Sequence, residues 1–225
     1  MRAFADLLDR LIYTRSRNAK LRLIGAYLRT TPDPDRGWAM AALTGTLDLP
    51  AVKPALLRAM IEARVDPVLY GMSRDFVGDS AETIALLWPE PTVPPPDAAP
   101  LTLSQVVDTL GALSRSDAPA VLAAMLDRLE ADERYALLKL ATGALRVGIS
   151  ARLAKTALAQ AFGLDVDAVE EVWHGLQPPY ALLFDWAEGR AAQPRAEDVP
   201  VFRPFMLAHP LEETQVDLAD YAAEW

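Results

Sequence analysis

Cysteine is absent from the 225-residue chain, which excludes disulfides, thiolate zinc sites, iron–sulfur clusters and a cysteine nucleophile. Only two histidines occur, His174 and His209, so a histidine-rich metal site has no basis and no metal ligands are assigned. Lysine is scarce as well. Lys20, Lys53, Lys139 and Lys155 are the full set, and none is followed by x-Asp-Gly. There is no G-x-x-x-x-G-K-[ST] phosphate loop, no G-x-S-x-G elbow and no H-E-x-x-H, so no catalytic residues are assigned. No run of about 18 apolar residues exists, which rules out a transmembrane helix. The start of the chain, Met1–Tyr13, is amphipathic but carries Asp6 and Asp9, and fits neither a secretory signal nor an acid-poor transit peptide. A soluble cytoplasmic protein without membrane contact is expected. Its 52% hydrophobic content is ample for a core and excludes wholesale disorder.

The chain holds 22 basic and 31 acidic side chains, a net charge of −9, but they are segregated. Residues 1–30 carry seven basic side chains (Arg2, Arg10, Arg15, Arg17, Lys20, Arg22, Arg29) against Asp6 and Asp9. Residues 141–160 carry Arg146, Arg152 and Lys155 with no acid, whereas residues 161–225 carry three basic and 13 acidic side chains. An acidic mean charge therefore leaves two basic patches able to meet a polyanion. Solvated helix faces would give the same count.

Apolar spacing is helical almost throughout. Phe4, Leu7, Leu8, Leu11 and Ile12 form one stripe. Further helices are expected over Lys20–Arg29, Gly37–Leu43, Lys53–Ala63, from Asp66-Pro67, and from an Asp79-x-x-Glu82 capping box to Trp88. Prolines 89, 91, 94, 95, 96 and 100 then make a stiff connector over 89–100. Helices resume at Leu101–Leu113, Pro119–Glu130, from an Asp132 cap to Ala141, over Ala151–Phe162 behind Ser150, over Val166–Trp173 behind Asp165, and over Tyr180–Gly189. The expected architecture is all-α and two-lobed, with a helical domain over 1–190, lobes at about 1–88 and 101–190, and a linker over 191–225. Trp38, Trp88, Trp173 and Trp186 belong to the core. The paired acids Glu130/Glu133 and Glu170/Glu171 read as solvated helix faces.

Three loop-to-helix junctions are rich in groups that bind phosphate. Thr14, Arg15, Ser16, Arg17, Asn18 and Lys20 combine hydroxyls, cations and helix-start amides, although Ser16 or Asn18 could be plain N-caps. Thr142, Gly143, Arg146, Gly148 and Ser150 lead into Arg152 and Lys155, three residues apart on one helix face. Gly78 precedes a third helix start, which Asp79 caps. Two separated junctions suit the rails of a duplex better than one small anion.

On Thr14–Leu21, Asp33–Trp38, Val77–Thr83, the Thr142–Ser150 loop, Ala157–Ala159 and the Phe202-Arg-Pro-Phe-Met-Leu-Ala208 element, the chain resembles the N-terminal DNA-binding domain of bacterial ATP-dependent DNA ligases of the damage-repair branch. The resemblance implies binding of nicked double-stranded DNA across the minor groove through sugar–phosphate contacts, in repair, replication or recombination. It places Gly143, Arg146 and Gly148 on one backbone and Arg15–Lys20 near another. It also implies nucleotidyltransferase and OB-fold domains in cis, which use ATP and magnesium. Their Lys-x-Asp-Gly motif is expected just past Trp225, so this chain should be inactive alone, a monomer in the bacterial cytoplasm acting at the nucleoid. The alternative is a helical protein-interaction scaffold.

Overall fold

The computed structural model describes residues 1–49, 52–91, 99–145 and 147–194. Twelve α-helices occupy them, with no strand among the described residues: α1 (Arg2–Tyr13), α2 (Arg17–Thr30), α3 (Asp35–Thr44), α4 (Pro54–Glu62), α5 (Pro67–Val77), α6 (Ser80–Leu87), α7 (Leu103–Gly111), α8 (Ala118–Leu126), α9 (Ala131–Ala141), α10 (Ala151–Phe162), α11 (Val166–Trp173) and α12 (Ala181–Ala187). The fold is all-α. Most of the Pro-rich connector, the apolar stretch 199–208 and the acidic end of the chain lie outside the described residues. No helix among the described residues is long and apolar enough to cross a membrane.

Sequence periodicity locates the helices, and side-chain caps set their ends. Ser16 Oγ accepts from the Ala19 amide at 3.4 Å and starts α2 at Arg17 instead of Lys20, because the cap acts before the apolar stripe begins. Asp66 and Asp79 cap α5 and α6 as their positions foretell. At α9 the cap is Glu130, not Asp132. Glu133 reaches back to the Glu130 amide at 3.2 Å, a capping box that buries Glu133. That acidic pair is thus a helix start and not a solvated face. Helix α8 stops at Leu126, short of Glu130, and the buried Arg134 takes over its end. Its Nε donates to Leu126 O at 2.8 Å and its Nη1 to Trp88 O at 3.3 Å, serving the terminal carbonyls of two helices.

Each half of the sequence supplies helices to one apolar core. Phe4, Leu7, Leu8 and Leu11 of α1 are buried, with α1 packed on α9, while Ile12 at the edge of that stripe is 40% exposed. Helix α6 also packs on α9, α3 on α7 and α4 on α8. Trp88 and Trp173 are buried, and Trp38 and Trp186 pack half-buried against the core. The Trp88 indole donates to Asp127 at 2.7 Å and lies beneath the Arg64 guanidinium.

The Asp33–Trp38 stretch does structural work. Asp35 accepts from the amides of Leu103 and Ser104 at 3.0 and 2.8 Å, capping α7 from a distant helix. Arg36, 4% exposed, bonds both oxygens of Asp33 at 2.8 and 2.6 Å and both oxygens of Glu188 at 2.5 and 3.0 Å, with Phe184 beneath it. A buried guanidinium is tolerated only with such full pairing. A Cβ on Gly37 would fall 1.7 Å from the carbonyl oxygen of Pro179, so only glycine lets α3 meet the chain before α12.

Gly37→Ala should lower stability by about 3 kcal/mol or more, seen as an earlier urea midpoint. A second expectation concerns acid. Burial raises the Asp79 carboxyl, but the bond from Lys139, the Glu82 amide, the Lys139 charge and the Ala81 amide outweigh it and hold it below its ordinary 3.8. A depressed carboxyl binds fewer protons folded than unfolded. Its stabilisation is complete above that ordinary value and fades as pH falls through the folded one. Asp79→Asn should flatten that part of the acid-unfolding curve.

Candidate nucleic-acid interface

The first two junctions come together in space, and a pair of helices brings them there. Helices α2 and α10 make the most extensive helix–helix contact among the described residues. Lys20, near the start of α2, bonds residues just ahead of α10. Gly25 faces Ala157 and Ala161, and Arg29 donates to Ala161 O at 3.4 Å. The two helices therefore run in the same sense, N-terminus beside N-terminus. A Cβ on Gly25 would lie 3.3 Å from Ala161 Cβ, so small residues on both helices permit the close approach.

Parallel neighbours align their dipoles unfavourably, and their positive ends reinforce one another at one rim. Ser16 and Ser150 cap the two helices through the Ala19 and Leu153 amides, the latter at 3.2 Å. The first two amides of each helix, at Arg17 and Asn18 and at Ala151 and Arg152, have no acceptor among the described residues. Arg15, Ser16, Arg17, Asn18, Gly143, Gly148, Ser150 and Arg152 are exposed, and Thr14 and Thr142 are half-buried. This rim offers an anion amides, hydroxyls and guanidinium groups together.

The two lysines are placed differently. Lys20, 9% exposed, donates to Gly148 O at 2.8 Å and Val147 O at 3.2 Å, clipping one junction to the other. Lys155 is buried, ion-paired with Glu170 of α11 and 5.5 Å from the Trp173 ring centroid.

The glycines have local reasons. Gly143, at φ +64°, closes α9: its amide bonds Leu140 O and that of Ala144 bonds Lys139 O, both at 3.1 Å, a Schellman motif. Gly148 has φ +61°, and a Cβ there would crowd the Lys20 ammonium at 3.1 Å. Thr142 Oγ1 donates to Leu138 O at 2.7 Å. Arg146 lies outside the described residues.

The third junction is unlike the others. Gly78, at φ +79°, ends α5. The following helix start is occupied by the Asp79 carboxylate, which accepts from the Ala81 and Glu82 amides at 2.9 and 3.0 Å and pairs with Lys139. A negative charge already fills that site.

Two arginines of the basic patch, not assigned to a site from the sequence, join the rim. Arg10 and Arg22 line a shallow groove between α1 and α2 together with Thr14. The available signal was the spacing of Arg22, four residues after Asn18 and so on the same face. Among the described residues, no cluster of three or more His, Asp or Glu side chains could hold a metal ion.

No curated protein sequence matches the chain. The sequence model for the N terminus of DNA ligases matches residues 1–159, a span running from α1 through most of α10 and containing both junctions of the rim. The family supports a DNA-binding role beside the other domains of a ligase. The chain belongs to the DNA ligase N-terminal domain family.

Proposed function

We propose that this domain grips nicked duplex DNA from the minor-groove side, through sugar–phosphate contacts that read no bases, and holds it for the nucleotidyltransferase and OB-fold domains of an ATP-dependent repair ligase in a bacterium. One observation carries the proposal: the joined N-termini of α2 and α10, with Arg15, Arg17 and Arg152 exposed around them. A duplex offers phosphates on both sides of its minor groove, and short loops at helix starts reach them without entering the major groove. Thr14, Ser16, Asn18, Thr142, Gly143, Gly148 and Ser150 would meet one phosphate rail or the other, and Arg146 would extend the same loop. Gly78 would touch DNA only through its own backbone, because Asp79 repels phosphate. Lys20 and Lys155 act by position, holding the loop and α10. ATP and magnesium would be used by the ligase's other domains; the chain has no Lys-x-Asp-Gly, and no step of adenylyl transfer is assigned to its residues.

The test is a gel shift with nicked duplex at about 50 mM salt. With roughly 4–6 phosphates neutralised, log K should fall against log salt with a slope near −4 to −5. Arg146→Ala and Arg152→Ala should each weaken binding on every sequence alike and make the slope shallower by about one. A sequence-selective loss overturns the backbone contact. Absence of any retarded band favours the interaction-scaffold alternative.

Lys20→Met separates position from contact. It leaves the carbonyls of Val147 and Gly148 without their donor, so thermal stability should fall by about 1–3 kcal/mol. DNA binding should weaken while the salt slope stays that of the parent domain. A slope reduced by a full unit would instead make Lys20 a phosphate ligand.

A further inference from the structure

We propose that the groove where α1, α6 and α9 meet is a docking surface for a basic amphipathic helix of a protein partner. This does not rest on the DNA-binding proposal. The floor is small: Ala5, Ala85 and Ala131 leave a channel between the three helices. Its sides are apolar side chains that the core does not use, Ile12 at 40% and Leu86 at 62% exposed. Asp9, Glu82 and Asp132 rim it, one from each helix, and none of the three forms an ion pair among the described residues.

Glu82 and Asp132 stand in the first turns of α6 and α9, where the helix dipole favours a carboxylate. Asp9 has no such explanation. It lies towards the C-terminal end of α1, where a negative charge opposes the dipole. Arg10 and Arg22 line the neighbouring groove with Asp9 but make no ion pair with it. Tyr135 lines the groove as well and already holds a cation, the Lys139 ammonium 5.3 Å from its ring centroid, a charge that Asp79 balances. Tyr13, 78% exposed, offers a second aromatic face for a lysine or arginine.

Charge selects the occupant. Duplex phosphates would be repelled. Residues 195–225 of this chain carry seven acids and two arginines and would be repelled too. The groove walls are helices with no strand edge to extend, so the fitting segment is a helix with apolar residues at i, i+3, i+4 and i+7 and Lys or Arg beside them.

The experiment uses the whole chain and a fluorescent synthetic peptide of about four helical turns, with leucines at those positions and lysines on its flanks. A second peptide carries glutamate in place of every lysine. Anisotropy should show the lysine peptide binding at least about tenfold tighter, weakening with salt. Glu82→Gln with Asp132→Asn should weaken it about fivefold, with unchanged circular dichroism and unchanged binding of nicked duplex. Leu86→Ala, at a side chain already in solvent, gives a second variant that should also lose peptide affinity. Equal binding of the two peptides, or indifference to both variants, overturns the proposal. So does sedimentation showing a dimer that Leu86→Ala dissolves, which would assign the groove to a second copy. Tighter duplex binding by the charge-neutralised variant with peptide affinity unaltered would assign it to nucleic acid and overturn the proposal as well.

Discussion

The rest of the molecule depends on how closely α2 and α10 approach. Gly25 facing Ala157 and Ala161 removes the side-chain spacers that would keep two parallel helices apart. The resulting alignment of dipoles is unfavourable by itself. It is offset by the burial of Leu21, Ile24 and Leu28 of α2 and of Ala154, Ala157, Leu158 and Ala159 of α10 in the common core and by the Lys20 clip to the loop before α10. What remains is a rim with concentrated positive potential, little of it neutralised by nearby acids. Of the acids near it, Asp9 lines the adjoining groove with Arg10 and Arg22, while Asp79 pairs with Lys139 and Glu170 with Lys155.

Much of this could be read locally. Several helix starts with a Ser or Asp ahead of an apolar run are legible, because a cap acts within three or four residues: Asp66, Asp79, Ser150 and Asp165 all bond the amides their positions suggest. The end of α8 is not, because its terminal carbonyl is served by Arg134 from the next helix. The start of α9 is not legible, because Glu130 and Glu133 as a charge pair give the same pattern whether solvated or reciprocally capped.

The basic patches were visible as counts, but charge counts do not reveal partners. Lys20 finds its acceptors more than 120 residues away, and Lys155 finds Glu170 only because α11 turns back onto α10. The arginines next to them stay exposed, and neighbouring sequence positions thus divide into buried clips and exposed cations. Asp33–Trp38 shows the same limit. As a motif it carries the family resemblance, and in the fold it holds a buried guanidinium, a remote cap and a glycine contact, with no exposed cation for a ligand.

The Asp35 carboxylate that receives the Leu103 and Ser104 amides has a further consequence during synthesis. The acceptor emerges from the ribosome before its donors, so α3 can wait as a template on which α7 initiates as it appears. Lys20 and the apolar stripe of α1 have the opposite schedule, since their mates in the 147–148 loop and in α9 are translated much later. The faces of α1 and α2 that meet those later segments therefore wait until some 150 codons have been read, although the two helices can already pack on each other, an interval in which the nascent chain is open to chaperones.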